Sequence, residues 1–437
     1  MSIWSQASRI AAQTPEARNR LVDFLRAASI LAVISGHWLV SAPYADAEGA
    51  EVIHMLAAQT WTQWLSWGFQ VMPIFFLVGG YANAVSWRAA IRDYKPFSTW
   101  LDSRLRRLLV PVLPLILTWV VVAVIARSLG ADVALLQELS RIALIPIWFL
   151  AIYTIIVLLV PLTHAMWQRF GFGSFFVPVA LAVIDDVLFI AGYEVLGWFN
   201  YVFIWVAVHQ LGYAWRDGRI NRPAARFGFG CLGLCLLCLL TLAGPYPIAM
   251  IGVPGDAVGN TLPPKLPLLA LGIAQAGFIL AAEAPLRRWL DRPAPWTLTV
   301  LLNGMIMTIY LWHSTAFALV ATLAMLAGNL GLSLEPGSEI WWLMRPIWIA
   351  LYAIALAAMM PLVARFERMR APLVAASTWR QVTGSMVICA GLAVLAYNGI
   401  GGDVSIGLQV FAALMPFAGA MLAGQLSLPH SATPTTG

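Results

Sequence analysis

Twelve apolar runs, each long enough to cross a bilayer as a helix of about 20 residues, dominate this chain. They cover residues 21 to 41, 61 to 87, 108 to 128, 141 to 163, 174 to 191, 198 to 215, 227 to 244, 266 to 286, 296 to 327, 341 to 364, 382 to 399 and 405 to 426. A soluble globule is excluded, because 61% hydrophobic and 11% charged residues leave too little polar surface to cover one. The expected fold is an all-α, polytopic transmembrane helix bundle of about twelve helices. Arg9, Arg18 and Arg20 ahead of the first run imitate a signal peptide. That run nevertheless carries Arg26 and His37 and is followed by no small-residue cleavage pattern, so it reads as a retained first helix.

Alternating the loops between two sides sorts the positive charges. One side receives the N-terminus and the loops with Arg88 to Arg107, Arg169, Arg216 to Arg226, Arg287 to Arg292 and Arg365 to Arg380, which is 21 of the 26 basic residues. The other side keeps Lys265, with Arg127, Arg141 and Arg345 at helix ends. By the positive-inside rule, both termini are expected in the cytoplasm. Residues 1–19 form a cytoplasmic tail in this reading. The outer loops hold acidic residues such as Asp46, Glu48, Glu51, Asp256 and Asp403, and the longest of them runs from Pro245 to Pro267. None is long enough to bury a core, so any chemistry occurs in or beside the bundle. Cys231, Cys235 and Cys238 share a helix face, but no His, Asp or Glu accompanies them there, so they read as apolar filler rather than metal ligands.

The informative residues are polar ones inside the apolar runs. Arg26 and His37 are eleven residues apart in the first run and therefore share a helix face. Asp23 is three residues before Arg26 and can pair with it. A rise of 1.5 Å per residue puts His37 about 16 Å farther along, toward the outer half of the membrane. Tyr310 and His313 share a face of the ninth run, His209 with Gln210 is central to the sixth, and Asp185 with Asp186 lies in the outer part of the fifth, either functional or marking a helix that ends early at the interface. Ionisable groups at such depth are costly and usually face a cavity, a partner or a reaction. His209 reads more readily as a hydrogen-bonded packing residue.

Arg20-Leu-Val-Asp-Phe-Leu-Arg26 followed by His37 resembles the opening signature of membrane acyltransferase family 3, the bacterial integral-membrane O-acyltransferases of glycans and lipids. The resemblance continues through Met72-Pro-Ile-Phe-Phe-Leu-Val-Gly-Gly80, Arg104-Leu-Arg-Arg-Leu-Leu-Val-Pro111, Ile147-Trp-Phe-Leu150 and Tyr310-Leu-Trp-His313, spanning residues 20–364. Two departures stand out. The helices in 365–437 lie beyond the family's ten-helix core, and Val-Gly-Gly replaces the more usual Leu-Ser-Gly on the second helix. The extracytoplasmic hydrolase-like domain of some members is not seen either, so the acceptor is expected to be recognised by the bundle and its loops.

The resemblance implies acyl transfer from cytoplasmic acyl-coenzyme A, used as a co-substrate rather than a resident cofactor, to an outer hydroxyl. It implies His37 and Asp23 as catalytic residues and Arg26, Arg104 and Arg107 as ligands for the coenzyme. It also implies Tyr310, His313 and Trp148 for acceptor positioning or oxyanion stabilisation. No metal is expected. Expected partners are the acyl donor, a glycan or lipid acceptor and the bilayer, with no nucleic acid. Ser35 is two residues before His37 and faces away from it on a helix, which favours direct transfer over an acyl-enzyme. An excess of arginine over lysine, 24 to 2, suits a GC-rich bacterium and hence its inner membrane. The competing reading is a secondary transporter or flippase, in which intramembrane Asp, Arg and His would relay protons.

Overall fold

In the computed structural model of the chain, residues 3–15, 18–47, 49–256, 258–367, 375–400 and 405–426 are described. Glu48, Arg368, Arg370 and Asp403 lie outside them. The chain begins with α1 (Ile3–Ala12), α2 (Arg20–Val40), strands β1 (Ser41–Ala45) and β2 (Ala50–His54), and the short helices α3 (Met55–Ala58) and α4 (Ser66–Phe69). It continues with α5 (Met72–Arg92), α6 (Phe97–Leu109), α7 (Val112–Ser128), α8 (Val133–Leu144), α9 (Pro146–Phe170), α10 (Phe172–Ile190) and α11 (Asn200–Arg216). The remainder is α12 (Pro223–Cys238), α13 (Leu266–Ala281), α14 (Glu283–Leu290), α15 (Pro293–Leu326), α16 (Glu339–Glu367), α17 (Thr378–Asn398) and α18 (Ile406–Leu422).

Each of the twelve apolar runs contains a helix, and the fold is all-α and polytopic. Among the described residues, ten helical segments are long and apolar enough to cross a membrane. The eighth run is a bent pair, α13 and α14, breaking by 59°. The charged residues Glu283, Arg287, Arg288, Asp291 and Arg292 cannot follow α13 into hydrocarbon, so the chain turns where they begin. The twelfth run holds the shorter α18. The fourth run differs at its start: residues 141–144 end the separate amphipathic helix α8, and Pro146, which has no backbone N–H to donate, opens α9. Two features are absent from the sequence reading. The first nineteen residues contain the amphipathic helix α1, and the loop after α2 is an antiparallel hairpin pairing Ser41 with His54 through Ala45 with Ala50.

The helices group into two compact units. The first comprises Met1–Ala89, Leu159–His313 and Leu319–Ile354, and the second Ala90–Leu158, Ser314–Ala318 and Ala355–Gly437. Polar knots at helix ends tie the first unit together. The guanidinium of Arg88, near the end of α5, meets Asp217 at 3.2 Å and Gln168 at 3.1 Å, while the Trp167 indole donates to Asp217 at 3.0 Å. The ends of the second, fourth and sixth apolar runs are thereby held together, as strict alternation requires. At the other ends, Asp186 accepts from Asn200 Nδ2, the Tyr246 hydroxyl and the Leu266 amide, each within 2.9 Å, and Lys265 Nζ is 3.7 Å away. Asp186 and Lys265 are each 1% exposed, so the pair is internal to the protein and not a marker of an early helix end. It anchors the long loop from Pro245 to Pro267, which Trp67, Gln70 and Ser66 also bind through the backbone of Ile248 and Met250.

In the second unit α17 packs along α18. Ser140 of α8 bonds both the amide and the carbonyl of Ile400, and Arg106 of α6 pairs with Asp102 and donates to the carbonyls of Gly424 and Gln425.

Without a hydrophobic driving force between helices in lipid, close approach relies on small residues. In the first unit α5 and α11 cross at Gly80 and Gly212, where an added Cβ would sit 1.9 Å from the His209 carbonyl oxygen or 2.2 Å from that of Leu77. Both obstacles are backbone and neither can give way. Gly80→Ala is therefore expected to destabilise the purified protein by about 1–3 kcal/mol or more, the usual cost of overpacking. Gly228→Ala, where a Cβ meets nothing within 4 Å, is expected to be neutral or slightly stabilising. Thermal unfolding followed by size-exclusion chromatography compares the two, and equal midpoints would contradict the crossing.

Candidate active site

The helix carrying Arg26 and His37 is unbroken from Arg20 to Val40, so their shared face is real. Its Asn19 cap accepts from the Leu21 amide. Two charge systems occupy its two ends. At the first end Asp23, 6% exposed, meets Arg18 at 2.6 Å and Arg26 at 3.5 Å. The hydrogen bond to Asp23 raises the Arg18 pKa above the ordinary arginine value, against the opposing effect of burial, so Arg18 stays charged at any pH the protein meets. Arg20 stacks on Trp296 and donates to the Leu290 carbonyl. Arg18, Arg20, Arg287 and Asp291 line a depression of about 220 Å³ beside this end.

At the other end the His37 and His313 rings stack with centroids 5.1 Å apart, and His37 Nδ1 lies 2.9 Å from His313 Nε2. The second nitrogen of His313, Nδ1, is 2.6 Å from the Tyr310 carbonyl oxygen. A carbonyl only accepts, so Nδ1 of His313 carries its hydrogen. In a neutral ring Nε2 is then a lone pair, and His37 Nδ1 must be the donor toward it. The tautomer of His37 follows from these partners: Nδ1 protonated, Nε2 bare. Among the described residues of the first unit, no group bonds to that Nε2. The His37 ring is thus oriented by a second ring, which is in turn oriented by a backbone carbonyl, and an imidazole held in this way is able to accept a proton at Nε2. Tyr310 contributes that carbonyl. The Trp38 indole donates to the His313 carbonyl at 3.0 Å, fastening α2 to α15 beside the pair.

The two ends also fix how α2 and α15 run. Asn303 donates to the Asp23 carbonyl at 2.9 Å, and ten residues later His313 reaches His37, fourteen residues beyond Asp23. The first and ninth runs are parallel, as an alternating chain demands.

Of the residues expected from the sequence, the structure brings together His37 with His313 and Tyr310, and separately Asp23 with Arg26. Asp23 and His37 lie at opposite ends of α2 and do not meet. Arg104, Arg107 and Trp148 belong to the second unit. There Arg104 lies over the Trp100 ring at 5.7 Å, Arg107 is exposed, and Trp148 is half-buried against Phe149. Trp38 and Arg345 were not anticipated. The signal was a buried arginine inside an apolar run, read only as a helix end. Among the described residues no three His, Cys, Asp or Glu side chains converge as a metal site would require.

The sequence profile of a family described as an acyltransferase domain matches residues 19–365. The chain belongs to this family, acyltransferase family 3. It is therefore a multi-pass membrane acyltransferase. No curated protein and no solved structure gives a significant match.

For an acyltransferase with this geometry, His313→Ala removes the acceptor that orients His37 and is expected to lower turnover by about tenfold to a hundredfold. His313→Gln retains a carbonyl oxygen able to accept from His37 Nδ1 and is expected to recover part of that loss. Rates measured in membranes at matched protein levels check this, and identical rates for the two variants would contradict the orienting role.

Proposed function

We propose that the chain transfers an acyl group, acetyl by default, from acyl-coenzyme A on the cytoplasmic side to a hydroxyl at the outer side of a bacterial inner membrane. The acceptor class is a glycan, a glycolipid or a lipid-linked sugar of the cell envelope, and the reaction is O-acylation. The bare Nε2 of His37 carries this reading, because attack by a hydroxyl needs a base that can take its proton. In the step proposed, the acceptor O–H gives its proton to His37 Nε2 as its oxygen bonds the thioester carbonyl carbon. The carbon–sulfur bond then breaks, and the proton returns from His37 to the leaving coenzyme A thiolate. Throughout, His37 keeps its Nδ1 hydrogen bond to His313, and the imidazolium formed in passing stays paired with the His313 lone pair.

The first end of α2 suits the donor. Coenzyme A is polyanionic, and Arg18, Arg20 and Arg287 supply fixed cations around a depression, with Arg26 close by on the same Asp23 that binds Arg18. Asp23 holds Arg18 and Arg26 in place in this reading. About 16 Å of helix separates Arg26 from His37, a distance suited to an extended donor arm whose reactive end lies away from its phosphates. Both termini are cytoplasmic in this scheme, as the charge distribution favours.

His37→Ala is expected to lower acylated product by about 10²–10⁴-fold, the range of general-base contributions, while acyl-coenzyme A still binds. Arg26→Ala is expected to weaken binding of the donor with His37 intact. Calorimetry on the purified protein, with mass spectrometry of envelope glycans and lipids, reads both. Undiminished product from His37→Ala would sink the catalytic assignment, and equal donor affinity in wild type and Arg26→Ala would sink the division between the two ends.

A further inference from the structure

Arg345, on the second turn of α16, is 3% exposed and forms no ion pair with a carboxylate among the described residues. A buried cation of this kind must be compensated in another way. Its Nη2 donates to two backbone carbonyls, those of Trp38 and Ser41. Trp38 lies in the last turn of α2 and Ser41 caps it, where the helix dipole leaves partial negative charge and the last carbonyls lack helical partners. The Trp341 ring covers the guanidinium at 4.6 Å and the Tyr352 ring is at 6.0 Å. Trp38 also packs on Tyr352, with centroids 5.6 Å apart. One arginine therefore holds the last turn of α2 from the carbonyl side, while the Trp38 indole holds the same turn to the His313 carbonyl.

His37 is the residue immediately before Trp38. Any rotation or slip of this turn moves the His37 ring relative to His313. We infer that Arg345 is a positioning residue of the acyl-transfer site, fixing the last turn of α2 and through it the His37 and His313 contact. The inference rests on the assignment of His37 as the base. Arginine suits the place because its guanidinium stays charged when buried and lies against the Trp341 ring while Nη2 serves both carbonyls, whereas a lysine ammonium gives up its charge more readily on burial and offers no plane to stack. The ring stack also spreads the cost of burial. Arg345 itself need not touch substrate, and its effect passes through the pair.

The test is a double-mutant cycle on turnover, with donor saturation measured for every variant. Arg345→Met is expected to lower kcat by about tenfold to a hundredfold while KM for the acyl donor stays within about twofold, because positioning of the base is lost and the donor end is untouched. Arg345→Lys is expected to fall between the two. In a His313→Ala background, Arg345→Met is expected to add less than about a twofold loss, since residues acting as one unit are not additive. A full, multiplicative loss in that background would overturn the inference, as would a wild-type kcat in Arg345→Met. Should Arg345→Met fail to accumulate, Arg345→Lys completes the same cycle with the charge retained. A His37→Ala enzyme that still turns over would strike the parent assignment instead, whereas an essential His37 combined with additive Arg345 losses would strike this inference alone.

Discussion

Hydrocarbon supplies no water to satisfy a polar side chain, so an imidazole inside a membrane helix takes its hydrogen-bonding state from whatever protein groups it meets. The contact between His37 and His313 applies this constraint twice. The Tyr310 carbonyl fixes the hydrogen of His313, and His313 fixes the hydrogen of His37. What remains is one nitrogen lone pair directed away from both partners. The rest of the first unit keeps α2 and α15 in the parallel alignment that this contact needs. Asn303 ties them at the Asp23 end and Trp38 at the His313 end, with the close Gly80 and Gly212 crossing elsewhere in the unit.

The same rule organises the remaining charges. Asp186 gathers three hydrogen-bond donors and lies near Lys265, Asp217 gathers Arg88, Arg216 and Trp167, and Glu283 gathers Arg226, Arg287 and Trp215. Each knot joins ends of helices that alternate across the membrane. Arg345 differs in having carbonyls and aromatic rings where the others have carboxylates, and it does so next to the proposed base. The Asp186 and Lys265 pair is fully buried, and a buried pair broken at one partner costs about 3–5 kcal/mol, so that knot also holds the helix register.

Much of this was legible in the sequence because bilayer thickness and charge asymmetry act on stretches of chain. The twelve apolar runs, and the pairing of Asp23 with Arg26 three residues on, needed only length and helical periodicity. The contact of His37 with His313 was not legible, since 276 residues separate them and periodicity says which residues share a face but not which faces meet. The hairpin after α2 was hidden for a different reason: Ser41–Ala45 has no regular alternation of polar and apolar residues, and its pairing depends on backbone hydrogen bonds. From the sequence Arg345 is a helix-end charge, because its partners are backbone carbonyls at the end of another helix, which carry no sequence signal.

The central claim is the protonation pattern of the histidine pair, and nitrogen-15 solid-state NMR tests it directly. With histidine labelled in the protein in lipid, the His37 signals are those lost in His37→Ala. The account predicts that at neutral pH His37 Nδ1 carries a hydrogen and its Nε2 does not, with His313 showing the same tautomer. A His37 ring protonated at Nε2 and bare at Nδ1 would contradict it.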